Sequence, residues 1–476
     1  MKQNLLLFFL PLLLCFGSSA QNPNIKRTWH WYWGDNVGID FSSGIAVLDT
    51  SGGVITSEGT ASISDTTGNL LFYSDGRTIW NKNHQVMPNG TGLLGGALGS
   101  STQEALIIPK PLLPNIYYLF TTDEVENSGL NGMRFSVINM NLDGSNGDVD
   151  TNQKNILLFA PCTEKLTAVN QCNDTNVWVM GHELGNSNFR AYLITPNGID
   201  TNARISVIGT PMLRNGSFGQ MKFSPNGKML CTATDSSAHE VDLFEFDNSN
   251  GTVYNNFIIS DTTYAMTAIS FSPDNSKLYI GSTSGYLYQY DVLLIDSNAI
   301  RNSKTLISNT FSANILFRPR NLQNSPIGPM FFDHMNITYD SVLSVVQFPD
   351  SVGLSCNIVL FSLMLGGNWE RSALPNFNES YFNTSVITPC SDVGLTKINP
   401  MRLKIFPNPS HDFLKIEGCI IHKIKLYDVL GKLVLSEYFD DLSSNVEINT
   451  MGFQKGLYIL YVDSNDNIIH QKIILN

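Results

Sequence analysis

Two stretches of the chain nearly superimpose: "FSPNGKMLCTAT" (223–234) and "FSPDNSKLYIGS" (271–282), 48 residues apart. Each reads as a strand ending in Phe-Ser, a Pro-Asn or Pro-Asp turn, and a second strand of alternating apolar residues. Such a hairpin cannot bury its apolar face alone, so the repeat demands like neighbours stacked against it. The period fits one four-stranded blade of a β-propeller. Looser copies are "TASISDTTGNLLFYSDG" (60–76), "ALIIPKPLLPNIYYLFTTD" (105–123) and "KLTAVNQCNDTNVWVMGHE" (165–183). A sixth, "GPMFFDHMNITYDSVLSVV" (328–346), carries Asp333-His334 where the others have Ser-Pro. Second strands near Tyr73, Leu119, Val179, Thr232, Ile280 and Val345 recur every 46–65 residues. A seventh unit is expected from both ends of the region, "TWHWYWG" (28–34) with "NIVLFSLML" (357–365), because pairing the termini removes the last open sheet edge. The reading is an all-β chain with a seven-bladed propeller over 21–390; six and eight blades also fit the spacing.

Composition agrees. Gly, Ser, Thr, Asn, Tyr and Phe are plentiful, as in a turn-rich β chain. The net charge of −12 with 29 Lys and Arg argues against a nucleic-acid partner, which needs clustered cations to neutralise phosphates. Residues 1–20 read as a secretory signal peptide: Lys2, the apolar run 5–16, and small residues ending at Ala20, with cleavage leaving Gln21 first. The apolar run is about 12 residues, short of the ~20 that span a bilayer, and the mature chain offers no transmembrane segment. Cys162–Cys172 and Cys356–Cys390 are conceivable disulfides in the oxidising compartment this implies, and Cys231 reads as a buried free thiol.

After a turn-rich linker at 391–401 the strand pattern restarts. Residues 402–476 hold about seven short strands, as in a small β-sandwich, and are nearly neutral with 8 basic and 9 acidic side chains. The motifs "IFPNPSHDFLKI" (405–416), "IKLYDVLGKLV" (424–434) and "INTMGFQKGLYILYV" (448–462) occur in order, before a final lysine and apolar strand. This tail resembles the type A C-terminal sorting domain of the type IX secretion system. The resemblance carries the motif residues onto Phe406, Pro407, Asn408, Pro409, Gly431, Lys432, Gly456, Tyr458 and Lys472. It implies recognition by an outer-membrane translocon and removal by its sortase, with the cargo released or held at the cell surface. The region before it is similar to a recurrent cargo family of that system, through "WYWGDNVGIDF" (31–41), "STQEALIIPKP" (101–111) and "LPNFNESYF" (374–382) among other stretches. Members of that family are propellers of mostly unassigned function. This chain departs from them at 328–340.

Local motifs give little chemistry. "HELGN" (182–186) lacks the second His of a zinc-protease helix and follows a strand. "NMNLDGSNGDVD" (139–150) mimics calcium-loop spacing but lies between strands, so it reads as a hairpin turn. No cofactor, metal site or catalytic residue is expected, and there is no nucleophile elbow. The densest polar–aromatic cluster, Asp75, Arg77, Trp80, Asn81 and His84, is the candidate ligand site, with His182 and Glu183 at a strand end as a second. The expectation is a non-enzymatic surface protein that binds a glycan, protein or matrix partner. The alternative is a polysaccharide lyase or hydrolase on the same scaffold.

Overall fold

The Ser-Pro turns set the pattern of the fold. In 223–229 the Ser224 hydroxyl donates to Asn226 Oδ1 at 2.8 Å and accepts the Met229 amide at 2.9 Å, so the chain reverses and the next strand begins. In 271–277 Ser272 does the same with Asp274 Oδ1 at 2.6 Å and the Lys277 amide at 2.9 Å, while Asn275 takes the left-handed conformation (φ 68°) that Asn tolerates. These contacts belong to a computed structural model describing residues 22–233, 241–259, 265–294, 296–309, 311–312, 315–316, 318–335, 341–368, 371, 374–385, 390, 404–429, 432–464 and 467–476. Ala20, Gln21, the linker 391–401 and Gly431 lie outside them.

The chain divides into two units, Met1–Cys390 and Ser391–Asn476. In the first, the described residues form seven antiparallel sheets in chain order, plus a two-stranded ribbon. Their lead strands are His30–Trp33, Ala61–Ser64, Ala105–Pro109, Cys162–Asn170, Met221–Phe223, Met266–Phe271 and Arg318–Asn324. From each lead strand the chain meanders outward through hairpins, and successive lead strands lie beside one another. Apolar side chains fill the spaces between neighbouring sheets. Trp31, Trp33, Val37 and Ile39 of the first sheet share one core with Phe331, Leu343 and Val345 of the seventh.

Two expectations are corrected. Segments 28–34 and 357–365 do not share a sheet. Gly34 (φ 56°) and Asn36 (φ 58°) turn His30–Trp33 back onto Val37–Asp40, while Ile358–Met364 pairs with Val342–Val346. The sixth copy, 328–346, belongs to the seventh sheet, which starts one strand earlier than expected. Its Ser-Pro is Ser325-Pro326, where the Ser325 hydroxyl donates to Pro329 O at 2.5 Å and Gly328 supplies the left-handed residue (φ 108°). Asp333 and His334 lie within the following strand, Met330–Met335, and both are fully buried.

One further segment, 374–385, returns across the lead strands. Pro375 bridges Thr60 and Asn378 bridges Ala168, both in parallel sense. Asn376 donates from its amide to Thr60 O and from Nδ2 to Leu166 O, each at 2.8 Å. Ser380 donates to Pro225 O at 3.1 Å, and Thr384 to Pro273 O at 3.1 Å. At its middle Glu379 pairs with Lys222 at 2.9 Å, both side chains 1% exposed. Cys390 forms a disulfide with Cys172 (Cα–Cα 4.9 Å), in place of both pairings expected from the sequence. Cys162 and Cys356 join Cys231 as buried free thiols.

Among its described residues the second unit has five strands in one hydrogen-bonded sheet, where about seven short ones were expected. Two are 16 and 17 residues long, Phe413–Asp428 and Leu433–Asn449. Register shifts between Glu417 and Lys423 break their pairing into halves, which read as separate strands in the sequence. Asn408 clamps the first turn to the last strand: Nδ2 donates to Lys472 O at 2.8 Å, and Oδ1 accepts the Ile474 amide at 2.9 Å. Tyr458 is buried in this unit's core, its hydroxyl donating to Gln454 O at 2.7 Å.

The buried pair sets one expectation. Lys222→Met leaves Glu379 buried with its cation gone and should cost about 3–5 kcal/mol in urea unfolding, whereas Lys222→Met with Glu379→Leu should cost markedly less. Equal losses would show that charge burial is not what the pair controls. For the thiols, native alkylation should leave Cys162, Cys231 and Cys356 unlabelled, and non-reducing digestion should release a Cys172–Cys390 cross-linked peptide.

Candidate functional site

The starts of the lead strands converge on a polar cavity of about 260 Å³. Glu58 precedes the second lead strand, Ser100 and Thr102 the third, and Phe218 and Gly219 the fifth. Thr267 lies in the sixth and Arg320 and Asn321 in the seventh, while Glu126 comes from the loop after Ile116–Thr121. Glu164, in the fourth lead strand, stands behind Thr102.

Thr102 is the hub. Its Oγ1 lies 2.8 Å from Glu164 Oε2 and 3.2 Å from Glu58 Oε2. Glu164, fully buried, also accepts the Thr102 amide on Oε2 and the Val125 amide on Oε1, both at 3.0 Å. Burial pushes the Glu164 carboxyl up to about 7 against those donors. Glu58 is raised to about 8, first by burial and next by the charge of Glu164, with Arg320 at 3.7 Å opposing. The Ser100 hydroxyl donates to Glu126 at 3.1 Å.

Other buried groups hold this frame. Lys165 Nζ donates to the carbonyls of Phe218 and Gly219 at 2.9 Å, fixing the loop that presents the half-buried Phe218. Asp333 accepts the Asn321 amide at 2.6 Å and Asn321 Nδ2 at 2.8 Å, and burial raises it to about 6. The cavity can therefore offer hydroxyls, carboxyls, a guanidinium and one aromatic face to a ligand.

The residues singled out in the sequence fall elsewhere and do not form one site. Asp75 accepts the amides of Arg77 and Thr78 and pairs with Arg77 Nη2 at 2.7 Å, at one end of the strand Thr78–Asn81. At its other end Asn81 Oδ1 accepts the Asn83 and Gln85 amides. Trp80 stacks on Tyr73 (5.6 Å), which stacks on Tyr32 (4.5 Å). His84 bridges Tyr73 Oη (3.2 Å) and Ser51 Oγ (2.9 Å), and burial lowers its pKa. His182 is fully buried, its Nδ1 2.7 Å from Glu183 O and its ring edge-on to Phe189; burial takes it down to about 4. Glu183 accepts from Asn186 and Asn188 and pairs with Arg190, ordering the hairpin.

Sequence reasoning missed Glu58, Thr102, Glu126, Glu164, Phe218 and Arg320, which lie up to 262 residues apart (58 to 320) and share no local motif. Their shared signal is position: most sit just before or early in a lead strand.

Residues 404–476 match the family model of the secretion system C-terminal sorting domain. A 75-residue stretch is 31% identical to the ulvan lyase NLR42 of Nonlabens ulvanivorans, covering 15% of this chain and 14% of that protein. The chain thus spans about a seventh of that curated relative's length. Among solved structures, a candidate 6-phosphogluconolactonase from Bacteroides uniformis aligns at 12% identity and TM-score 0.43, over 71% of this chain and 97% of its own. Hsv2 of Kluyveromyces lactis aligns at 9% and 0.38, over 67% and 90%. No helix among the described residues is long and apolar enough to cross a membrane. This all-β chain carries a type IX C-terminal sorting domain at 404–476, and it is secreted or attached to the cell surface.

Proposed function

We propose that the first unit, from residue 21 to 390, is a seven-bladed β-propeller that binds a hydroxyl-rich extracellular ligand, a glycan, in the cavity around Glu58. The observation that carries the reading is the cavity lining: Ser100, Thr102 and Thr267 hydroxyls, Glu58 and Glu126 carboxyls and Arg320 surround the half-buried Phe218 ring. Sugar recognition uses that mix, an apolar face for the ring with short polar groups that fix its orientation. The propeller reading draws support from seven consecutive meander sheets, lead strands side by side, and a core common to the first and seventh sheets. The linker 391–401 then joins it to a tail, from 402, that the translocon recognises and its sortase removes. A protein or matrix partner would call for a broader face than this cavity of about 260 Å³. The lyase or hydrolase alternative draws on the same carboxyls.

A glycan array followed by calorimetry should find a saccharide ligand, and Phe218→Ala should weaken it by on the order of 1 kcal/mol, about fivefold. Wild-type protein that binds no glycan would end this reading. Deleting 402–476 should leave the first unit in the periplasm, and Asn408→Ala, which frees the motif turn from the last strand, should reduce export without abolishing synthesis. Equal amounts of the truncated and full-length chains in the medium would overturn the role given to this tail.

A further inference from the structure

Thr102 has one hydroxyl hydrogen and faces two carboxyl groups. The closer contact, 2.8 Å, is to Glu164, whose oxygens also accept two backbone amides at 3.0 Å. These three donors oppose the burial that raises Glu164, so it gives up its proton at about 7, before Glu58 at about 8. With its hydrogen given to Glu164, the Thr102 oxygen can only accept from Glu58 across the remaining 3.2 Å, so that contact needs a hydrogen on the Glu58 carboxyl. Burial and the Glu164 charge favour the same state, with Arg320 and the Thr102 contact opposing. The charged groups facing Glu58 are Arg320 from the seventh sheet, Glu164 from the fourth and Glu126 from the loop of the third. A second, independent feature points to a ligand. Thr267 lines the same cavity, is 3% exposed, and its hydroxyl has no hydrogen-bond partner among the described residues.

We propose that this cavity is a general-acid site for hydrolysis of the bound glycan, with Glu58 giving its proton to the bridging oxygen. This rests on the glycan reading above. As the carbon–oxygen bond breaks, its electron pair stays on the oxygen, which takes the Glu58 proton and leaves as a hydroxyl. A water molecule bonds to the carbon and gives its proton to the Glu126 carboxylate. The Thr102 hydroxyl turns from Glu164 to the newly charged Glu58, offsetting the charge created there. The proton on Glu126 then returns to Glu58 through solvent, so each cycle consumes one water and cuts one bond. Thr102 and Glu164 are positioning residues. The donor form of Glu58 is present below about pH 8 and lost as pH rises through it.

The test uses the secreted protein with laminarin, xylan and alginate, measuring binding by calorimetry and cleavage by release of reducing ends. A pH series of infrared spectra of the unliganded protein reports the protonated carboxyl, assigned by its loss in Glu58→Gln. Glu58→Gln should still bind the polysaccharide measurably and cleave it at least about 100-fold more slowly. Glu164→Gln removes a neighbouring negative charge, so its activity should fall at lower pH than wild type. Thr102→Ser should keep the wild-type profile and Thr102→Val should lose it. A polysaccharide bound but never cleaved by wild type overturns the acid role and leaves the binding reading standing. So does a Glu58 carboxyl ionised at neutral pH. Binding to none of the three polysaccharides overturns both.

Discussion

The inner edge of a lead strand has no neighbouring strand, and its amides and carbonyls must find partners elsewhere or remain buried and unpaired at a cost of about 1–3 kcal/mol each. Side-chain amides meet that demand. Gln103 accepts the Met221 amide at 2.8 Å and donates to Met221 O at 3.1 Å, joining the third sheet to the fifth. Gln220 Oε1 accepts the amides of Ile269 and Leu322 at 3.0 Å, tying the fifth sheet to the sixth and seventh. Asn376 serves Leu166 in the same way from the return segment. A carboxamide offers a donor and an acceptor on one short stem, so it can imitate the missing strand across a gap too narrow for one.

The same strands that are closed along their edges are used differently at their two ends. In Cys162–Asn170 the early residue Glu164 supports the cavity, while Asn170 at the far end is held by Asn378 and Ser380 of the return segment. Firm support at one end makes a polar, partly desolvated cavity at the other tolerable. It also gives the carboxyls fixed hydrogen-bond partners.

How far the fold could be read follows from which signals are local. Strand and turn signals are local, and Ser224-Pro225 and Ser272-Pro273 stood out because a hydroxyl, a proline and an Asn or Asp build each turn within six residues. Ser325-Pro326 escaped notice because its turn uses Pro329 and Gly328 in place of the Asn or Asp side chain. The end-to-end strand pairing fails because Gly34 and Asn36 turn His30–Trp33 back onto Val37–Asp40, so it pairs within its own sheet. The cavity could not be read at all, since Glu58, Thr102, Glu164 and Arg320 meet only after four sheets are in place. Trp80 and His182 drew attention through residue type, yet the first stacks on Tyr73 and the second packs edge-on to Phe189.

In the tail, the turn that carries Asn408 is held by Lys472 O and the Ile474 amide, more than sixty residues later. Its presentation therefore depends on backbone made well after the motif itself. A nascent chain halted before Lys472 has the motif but nothing to brace it, and a chain clipped there afterwards loses the same brace. The motif turn thereby gains its clamp only in molecules whose translation has run past the strand that supplies it.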